Sequence, residues 1–251
     1  MRPLVAKIKP VGGFAHLLYL GLLVLLPATI FIMVRLHAVP LALTVVVLSK
    51  WRIFAVRPRF WLANVRASSI DLTVGLATVV FMVHSGDSFL LQLVWAAMYG
   101  VWLISIKPAS GIFWVSIQAF IGQLSGLMAL YMIWGASGPL YGLTLVTGLI
   151  CFISARHFFD SFEEPYAKLL AYLWGYFGAA LAWLLGHWLL FYNIVAQPTL
   201  LLSTLGYGMA AIYYLDHKDK LSKGVRRQFI FIMLAIVLVV LTFSDWGDKA
   251  V

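Results

Sequence analysis

The sequence predicts an all-α polytopic bundle of transmembrane helices, on the basis of its composition, its apolar runs and the placement of its basic residues. Of the 251 residues, 63% are hydrophobic and 11% are charged, whereas a soluble domain is about half apolar and about a quarter charged. A soluble fold of this length could not hide so much apolar surface from water. We therefore expect lipid to surround most of the chain, as a single transmembrane domain over residues 1–251.

Nine apolar runs are candidates for membrane spans, since a helix needs about 20 apolar residues to cross a hydrocarbon core about 30 Å thick. They lie at residues 14–34, 36–49, 70–83, 89–106, 112–134, 140–155, 165–192, 199–215 and 229–243. The second and third runs are short, and the second also contains Pro40. A re-entrant segment is therefore the alternative to a full span at residues 36–49.

The distribution of Lys and Arg predicts the orientation of the bundle, because cytoplasmic loops retain basic residues. With nine spans and a cytoplasmic N-terminus, 16 of these residues are cytoplasmic and 2, Arg35 and Lys249, are outside. If the second run did not cross, every later loop would change sides and the split would be 14 against 4. The sequence thus predicts nine spans with the C-terminus outside, in the plasma or inner membrane of the cell.

The net charge of +9 indicates a lipid partner rather than nucleic acid, because the basic residues stand in separate short loops. Basic residues at membrane edges attract anionic headgroups by about 1 kcal/mol each. Binding to a partner membrane protein or to a second copy of the chain is an alternative that the sequence leaves open. The single cysteine, Cys151, lies inside a predicted span, and no nucleotide-binding, haem or retinal pattern is present. We expect no cofactor.

Residues 50–66 combine basic and aromatic side chains and predict a short helix lying in the cytoplasmic interface. Pro58 should break or kink this helix. One interpretation is ordinary interfacial anchoring, and the other is recognition of an anionic lipid headgroup. The candidate headgroup contacts are Arg52, Arg57, Arg59 and Arg66.

The third span is predicted to begin with a helix cap at Ser68, three residues before Asp71. In that position Asp71 would lie in the first helical turn, where a negative charge complements the helix dipole. We therefore predict a structural role for this carboxylate.

The segment from Ser154 to Lys168 gathers the charges that could form a site: Arg156, His157, Asp160, Glu163 and Glu164. A loop between two spans explains each charge, since Arg156 with Asp160, and Glu164 with Lys168, have the i, i+4 spacing of helical ion pairs. Alternatively, His157, Asp160 and Glu164 share one helix face and form an ion or substrate site, because imidazole and carboxylates bind cations and protons.

The polar residues within the spans include Gln118 and Gln123, which we regard as candidate contacts for an ion or substrate. The GxxxG pattern from Gly122 to Gly126 predicts close helix packing in the same span. Further close approaches are predicted at Gly175, Gly178, Gly186, Gly206 and Gly208. Tyr207, Tyr213 and Tyr214 are candidates for lining a cavity.

A second set of candidates falls at the predicted outer ends of spans, where three histidines and a carboxylate would suit a divalent transition metal. The set consists of His37, His84, Asp87 and His187.

Three functions fit the sequence, and composition alone does not separate them. The first is a carrier or permease for a small solute or a lipid, which predicts a cavity reaching the membrane midplane. The second is an intramembrane enzyme acting on a lipid-linked substrate at the cytoplasmic interface, through His157, Asp160 and Glu164. The third is a non-catalytic membrane subunit or assembly factor. Nucleotide-binding, zinc-protease and serine-hydrolase motifs are missing from the sequence.

Overall fold

The computed structural model describes residues 14–51, 57–135, 138–188, 191–192 and 195–246. This part of the chain forms nine α-helices: α1 Phe14–Arg35, α2 Val39–Leu48, α3 Trp61–His84, α4 Phe89–Val101, α5 Ile112–Trp134, α6 Leu140–Asp160, α7 Ala167–Gly186, α8 Gln197–His217 and α9 Lys223–Thr242. A 3₁₀ turn at Pro58–Phe60 precedes α3, and a π-helical segment at Trp102–Ile106 continues α4. The two-residue strands β1 Phe191–Tyr192 and β2 Val195–Ala196 pair antiparallel. The predicted all-helical class is confirmed.

Six helices in the described part of the chain are long and apolar enough to cross a membrane. They are Ala63–His84, Phe89–Ile106, Ile112–Trp134, Leu140–Asp160, Ala167–Gly186 and Lys223–Thr242. Helix α2, in contrast, has ten residues and rises about 15 Å, half the thickness of a hydrocarbon core. The count of nine spans and their orientation stay predictions.

Several helices extend beyond the apolar runs from which they were predicted. Helix α3 begins at Trp61 rather than at residue 70, and α6 ends at Asp160 rather than at residue 155. The interfacial helix predicted over residues 50–66 is therefore wrong for residues 61–66, which belong to α3. Hydropathy marks the apolar part of a helix, whereas the helix itself continues for as long as its backbone hydrogen bonds are made.

The predicted cap at Ser68 is also wrong, because Ser68 and Asp71 lie well inside α3. Asp71 is 7% exposed, so its carboxylate does not complement the first helical turn. It is a buried acidic group in a helix of membrane-spanning length, a placement that is rare and costly in lipid.

The chain divides into two compact units, and the first comprises Met1–Trp61 and Thr78–Ala109. Here α1 packs against α2 and α4, with the rings of Phe31 and Phe89 5.5 Å apart. Gln92 closes the turn after α3, since its amide nitrogen donates to the main-chain oxygens of Met82 (3.3 Å) and Gly86 (2.6 Å).

The second unit comprises Leu62–Ala77 and Ser110–Val251, and its most extensive helix contact joins α6 and α7. Small residues allow this approach: a Cβ atom added at Gly175 would lie 2.9 Å from Cβ of Phe152, and one added at Gly178 would lie 2.6 Å from Sγ of Cys151. The close packing predicted at these two glycines is confirmed.

The packing predicted for the GxxxG pattern of α5 is confirmed in the same way. A Cβ atom at Gly122 would lie 2.9 Å from the side chain of Ile70, and one at Gly126 would lie 2.6 Å from Cγ2 of Thr73. Both partners belong to α3, so the pattern is the contact surface between α3 and α5.

Candidate functional site

A cavity of about 720 Å³ lies in the second unit, between helices α5 to α9. Its wall is built mainly from aromatic and aliphatic side chains. They include Phe113, Phe120, Phe158, Phe159, Leu170, Leu173, Trp174, Phe177, Tyr207, Met209, Tyr213, Tyr214 and Phe229. The prediction that Tyr207, Tyr213 and Tyr214 line a cavity is confirmed.

The polar groups of the cavity wall are hydroxyls, one amide and the indole N–H of Trp174. The residues that line it in the described part of the chain include no charged side chain. Ser154 is 3% exposed, and its buried hydroxyl has no hydrogen-bond partner among the described residues. Since a polar group that enters an apolar site without a hydrogen-bond partner loses its hydration at a cost, this wall suits a mainly lipophilic molecule.

Gln123 joins three helices in the wall of the cavity. Its side-chain oxygen accepts a hydrogen bond from the indole N–H of Trp174 in α7 (2.9 Å), and its amide nitrogen donates to the main-chain oxygen of Leu202 in α8 (2.9 Å). Gly206 makes room for this arrangement, because a Cβ atom there would lie 2.9 Å from the amide nitrogen of Gln123. Gln123 therefore lines the cavity, as a substrate contact would, and also holds the bundle together.

We define an aromatic cluster as Phe158, Phe159, Phe162, Tyr213 and Tyr214. All of its members except Phe162 line the cavity. The ring of Tyr213 lies within 5.9 Å of the three phenylalanine rings, at nearly perpendicular angles. Such edge-to-face pairs are favourable because the positive edge of one ring meets the negative face of another.

The half-buried carboxylate of Glu164 contacts the aromatic cluster through a hydrogen bond donated by the hydroxyl of Tyr213. This contact connects the loop between α6 and α7 to α8. Glu164 was predicted to pair with Lys168, but the ammonium group of Lys168 lies 6.0 Å from the ring of Tyr172 instead. The neighbouring Glu163 is exposed and has a φ of 54°, in the left-handed region.

A separate group of charges forms where α3 meets the end of α6. Nη2 of Arg156 lies 3.0 Å from the carboxylate of Asp160, as the i, i+4 spacing predicted, and Nε of Arg66 lies 3.5 Å from the same carboxylate. The Arg156 side chain is 15% exposed, and its other terminal nitrogen, Nη1, is buried without a hydrogen-bond partner in the described part of the chain. Asp160 thus holds two arginines from different helices.

His157 lies on α6 beside this group, and its Nε2 atom is 3.1 Å from the side-chain oxygen of Gln118 in α5. Gln118 is 6% exposed. Two predicted site residues therefore do meet, although they belong to different helices and no sequence pattern predicted their pairing.

Three of the four candidate metal ligands, His37, His84 and Asp87, belong to the first unit, and His187 belongs to the second. No group of three His, Cys, Asp or Glu side chains able to hold a metal ion occurs among the described residues. The rings of His84 and His187 lie 3.0 and 2.7 Å from the main-chain oxygens of Val80 and Trp183. His37 has a φ of 57°, and the main-chain oxygen of Asp87 accepts a hydrogen bond from Arg35.

The candidate headgroup arginines have different surroundings. Arg57 and Arg59 are exposed next to the 3₁₀ turn, and the Arg59 guanidinium lies 4.6 Å from the ring centre of Phe60. Arg66 is half-exposed and contacts Asp160. Arg52 lies outside the described residues.

Sequence reasoning missed Trp174, Ser154 and the phenylalanines of the aromatic cluster. Aromatic residues are so frequent in this chain that no local pattern distinguishes the cavity wall from lipid-facing positions. Ser154 could have been noticed as a hydroxyl within an apolar run, but its burial depends on neighbouring helices.

Fold and cavity together define an all-helical protein with several helices of membrane-spanning type and an aromatic-walled cavity. No family model matches the chain, and neither the curated proteins nor the solved structures include a significant match.

Proposed function

We propose that this protein is an integral membrane protein that binds a lipid or another long apolar molecule in the cavity between α5 and α9 and carries it within the membrane. The observation that carries the proposal is the cavity itself, of about 720 Å³ and with a mainly aromatic and aliphatic wall. A pocket of this size and apolarity is of the kind that buries most of a lipophilic ligand.

The composition of the cavity wall favours a lipid over a small hydrophilic solute. A polar solute would lose its hydration on entry and would need several hydrogen bonds in return. The side-chain amide of Gln123 is hydrogen-bonded to Trp174 and Leu202. Mostly hydroxyl groups therefore remain to form hydrogen bonds with a polar solute. A hydrocarbon chain needs no such compensation.

The enzyme alternative has less support from the surroundings of its three acid–base candidates. His157 contacts Gln118 of α5, Asp160 contacts Arg66 of α3, and Glu164 accepts a hydrogen bond from Tyr213 of α8. Partners on three different helices favour structural pairing over one shared reaction centre.

The membrane, its sidedness and the number of spans are part of the proposal. The distribution of basic residues, 16 against 2, supports nine spans with a cytoplasmic N-terminus in the plasma or inner membrane. Under this topology the aromatic cluster and the charges around Asp160 lie near the cytoplasmic face, where Arg57 and Arg59 meet anionic headgroups.

Native mass spectrometry of the purified protein tests the proposed binding. We expect wild-type protein to retain a lipid after extensive detergent washing, and Ala211→Phe, which fills the cavity from α8, to lose it. The matched control is Ala97→Phe, an exposed position of α4 that receives the same side chain outside the cavity. Ser116→Phe fills the cavity from α5 if Ala211→Phe does not fold.

Equal lipid retention by wild-type protein and both cavity-filling variants would contradict the proposed binding. Carriage is then measured in proteoliposomes, as the rate at which a fluorescent lipid moves between leaflets. We expect a faster rate with wild-type protein and Ala97→Phe than with Ala211→Phe.

A further inference from the structure

The cavity has no charged side chain in its wall in the described part of the chain, and the carboxylate of Glu164 contacts one residue of that wall. This contact is the hydrogen bond of Glu164 with Tyr213. A ligand group seated at the aromatic cluster would therefore meet a negative charge in a weakly polar setting, where electrostatic attraction is less screened than in water.

The aromatic cluster adds a second feature that attracts cations. Aromatic faces carry negative electrostatic potential and bind ammonium and other organic cations within about 6 Å of the ring centre. Phe158, Phe159, Tyr213 and Tyr214 all line the cavity. Several aromatic rings facing one site are the arrangement that recognises quaternary ammonium groups, which cannot donate hydrogen bonds.

Several other charged groups near the aromatic cluster have contacts of their own. Arg156 is held by Asp160 through Nη2, although its Nη1 atom is buried without a hydrogen-bond partner in the described part of the chain. The carboxylate of Asp216 lies 3.9 Å from Arg226, and the ammonium group of Lys168 lies over the ring of Tyr172. His217 stacks beside Tyr213, with ring centres 6.5 Å apart. Glu164 contacts a residue of the cavity wall directly, through the hydroxyl of Tyr213.

We propose that the cavity selects lipophilic organic cations, with the apolar part of the ligand against the aromatic wall and its positive group against the aromatic cluster, on the cavity side of Tyr213 and its partner Glu164. The ligand class includes amphiphiles with an ammonium head and compact lipophilic cations. This inference rests on the proposed binding of a lipophilic molecule and adds the sign of its charge.

Binding of two radiolabelled ions of similar shape and opposite charge, tetraphenylphosphonium and tetraphenylborate, tests the inference. Protein in nanodiscs of neutral lipid is used, and binding to Ala211→Phe in identical nanodiscs is subtracted to remove partition into the bilayer. We expect saturable, cavity-dependent binding of the cation and not of the anion.

The charge of Glu164 is tested by Glu164→Gln, which keeps an oxygen to accept the hydrogen bond from Tyr213. We expect the Kd for tetraphenylphosphonium to rise about tenfold. Glu163→Gln is the matched control, because it makes the same change of charge at the exposed neighbouring position and should leave the Kd unchanged.

The outcomes separate the inference from the proposed function. Equal cavity-dependent binding of cation and anion, or a Kd that is the same in Glu164→Gln and wild-type protein, overturns the inference while lipid retention in the cavity still stands. If wild-type protein and Ala211→Phe bind lipid and both ions equally, the proposed function and the inference fail together.

Discussion

Gln123 and Trp174 are joined by a hydrogen bond of 2.9 Å from the indole nitrogen to the side-chain oxygen, across 51 positions of sequence. The same glutamine donates to the main-chain oxygen of Leu202, so a single buried amide connects α5, α7 and α8. Since the cavity is walled by these helices, its shape depends on the connection.

Replacing Gln123 with leucine should destabilise the protein by about 1–2 kcal/mol. Two interhelical hydrogen bonds are lost, and the indole N–H of Trp174 loses its acceptor. Trp174→Phe removes only one of these two hydrogen bonds, so the loss of stability from broken hydrogen bonds should be smaller. Unfolding in mixed micelles, followed by circular dichroism, measures the difference. Unchanged stability in Gln123→Leu would show that the amide does not hold the helices together.

Gly126→Ala should destabilise the packing of α3 against α5 by about 1–3 kcal/mol, because the new methyl group would lie 2.6 Å from Cγ2 of Thr73. Thr73→Ser removes that methyl group and keeps the hydroxyl, so the double variant should recover part of the loss. The matched control is Gly21→Ala, since a Cβ atom at Gly21 has no neighbour within 4 Å. Thermal unfolding of the four variants checks this, and failure of Thr73→Ser to rescue Gly126→Ala contradicts the assigned contact.

Asp160→Asn should cost about 1–2 kcal/mol, because it removes the charge that holds the largely buried Arg156 and the half-exposed Arg66. Asp216→Asn is the control: Asp216 and Arg226 are 69% and 56% exposed, and such surface pairs contribute about 0–1 kcal/mol. The unfolding free energy of each variant is measured in detergent. A larger loss in Asp216→Asn than in Asp160→Asn would reverse the assigned ranking.

Labelling single cysteines on either side of α2 tests the predicted topology. In a Cys151→Ala background, Leu36→Cys should react with an impermeant maleimide from outside and Arg57→Cys from the cytoplasmic side. Both positions are exposed, so burial does not limit the reaction. Labelling of both from one side means that α2 turns back, as its ten residues would also allow, and that the nine-span topology is wrong.

The helices themselves could be predicted because their signal is local. A run such as Ile112–Trp134 is apolar throughout, and its predicted bounds match α5. The start of α3 and the end of α6 were missed because polar residues such as Arg66 and Asp160 lower the hydropathy without interrupting the backbone hydrogen bonds. Asp71 was misassigned for the same reason. Its role was judged from a helix start near Ser68, whereas α3 begins at Trp61, ten positions before Asp71.

Within the candidate site, sequence reasoning succeeded where the partners share a helix. Arg156 and Asp160 pair because four positions make one turn of α6. It could not find Glu164 with Tyr213, or His157 with Gln118, which are separated by 49 and 39 positions. An amide, imidazole or carboxylate accepts many partners equally well, and only the packing of helices decides which one is within reach.

By itself, then, the sequence determined the helical class, the apolar character and the small-residue surfaces of this protein, since these follow from backbone hydrogen bonding and from the size and polarity of each side chain in turn. The tertiary structure decided which helices meet, where Ser154 and Trp174 face, and that an aromatic-walled cavity opens beside Glu164. Those features are set by side chains far apart in sequence, whose contacts exist only after the helices have packed.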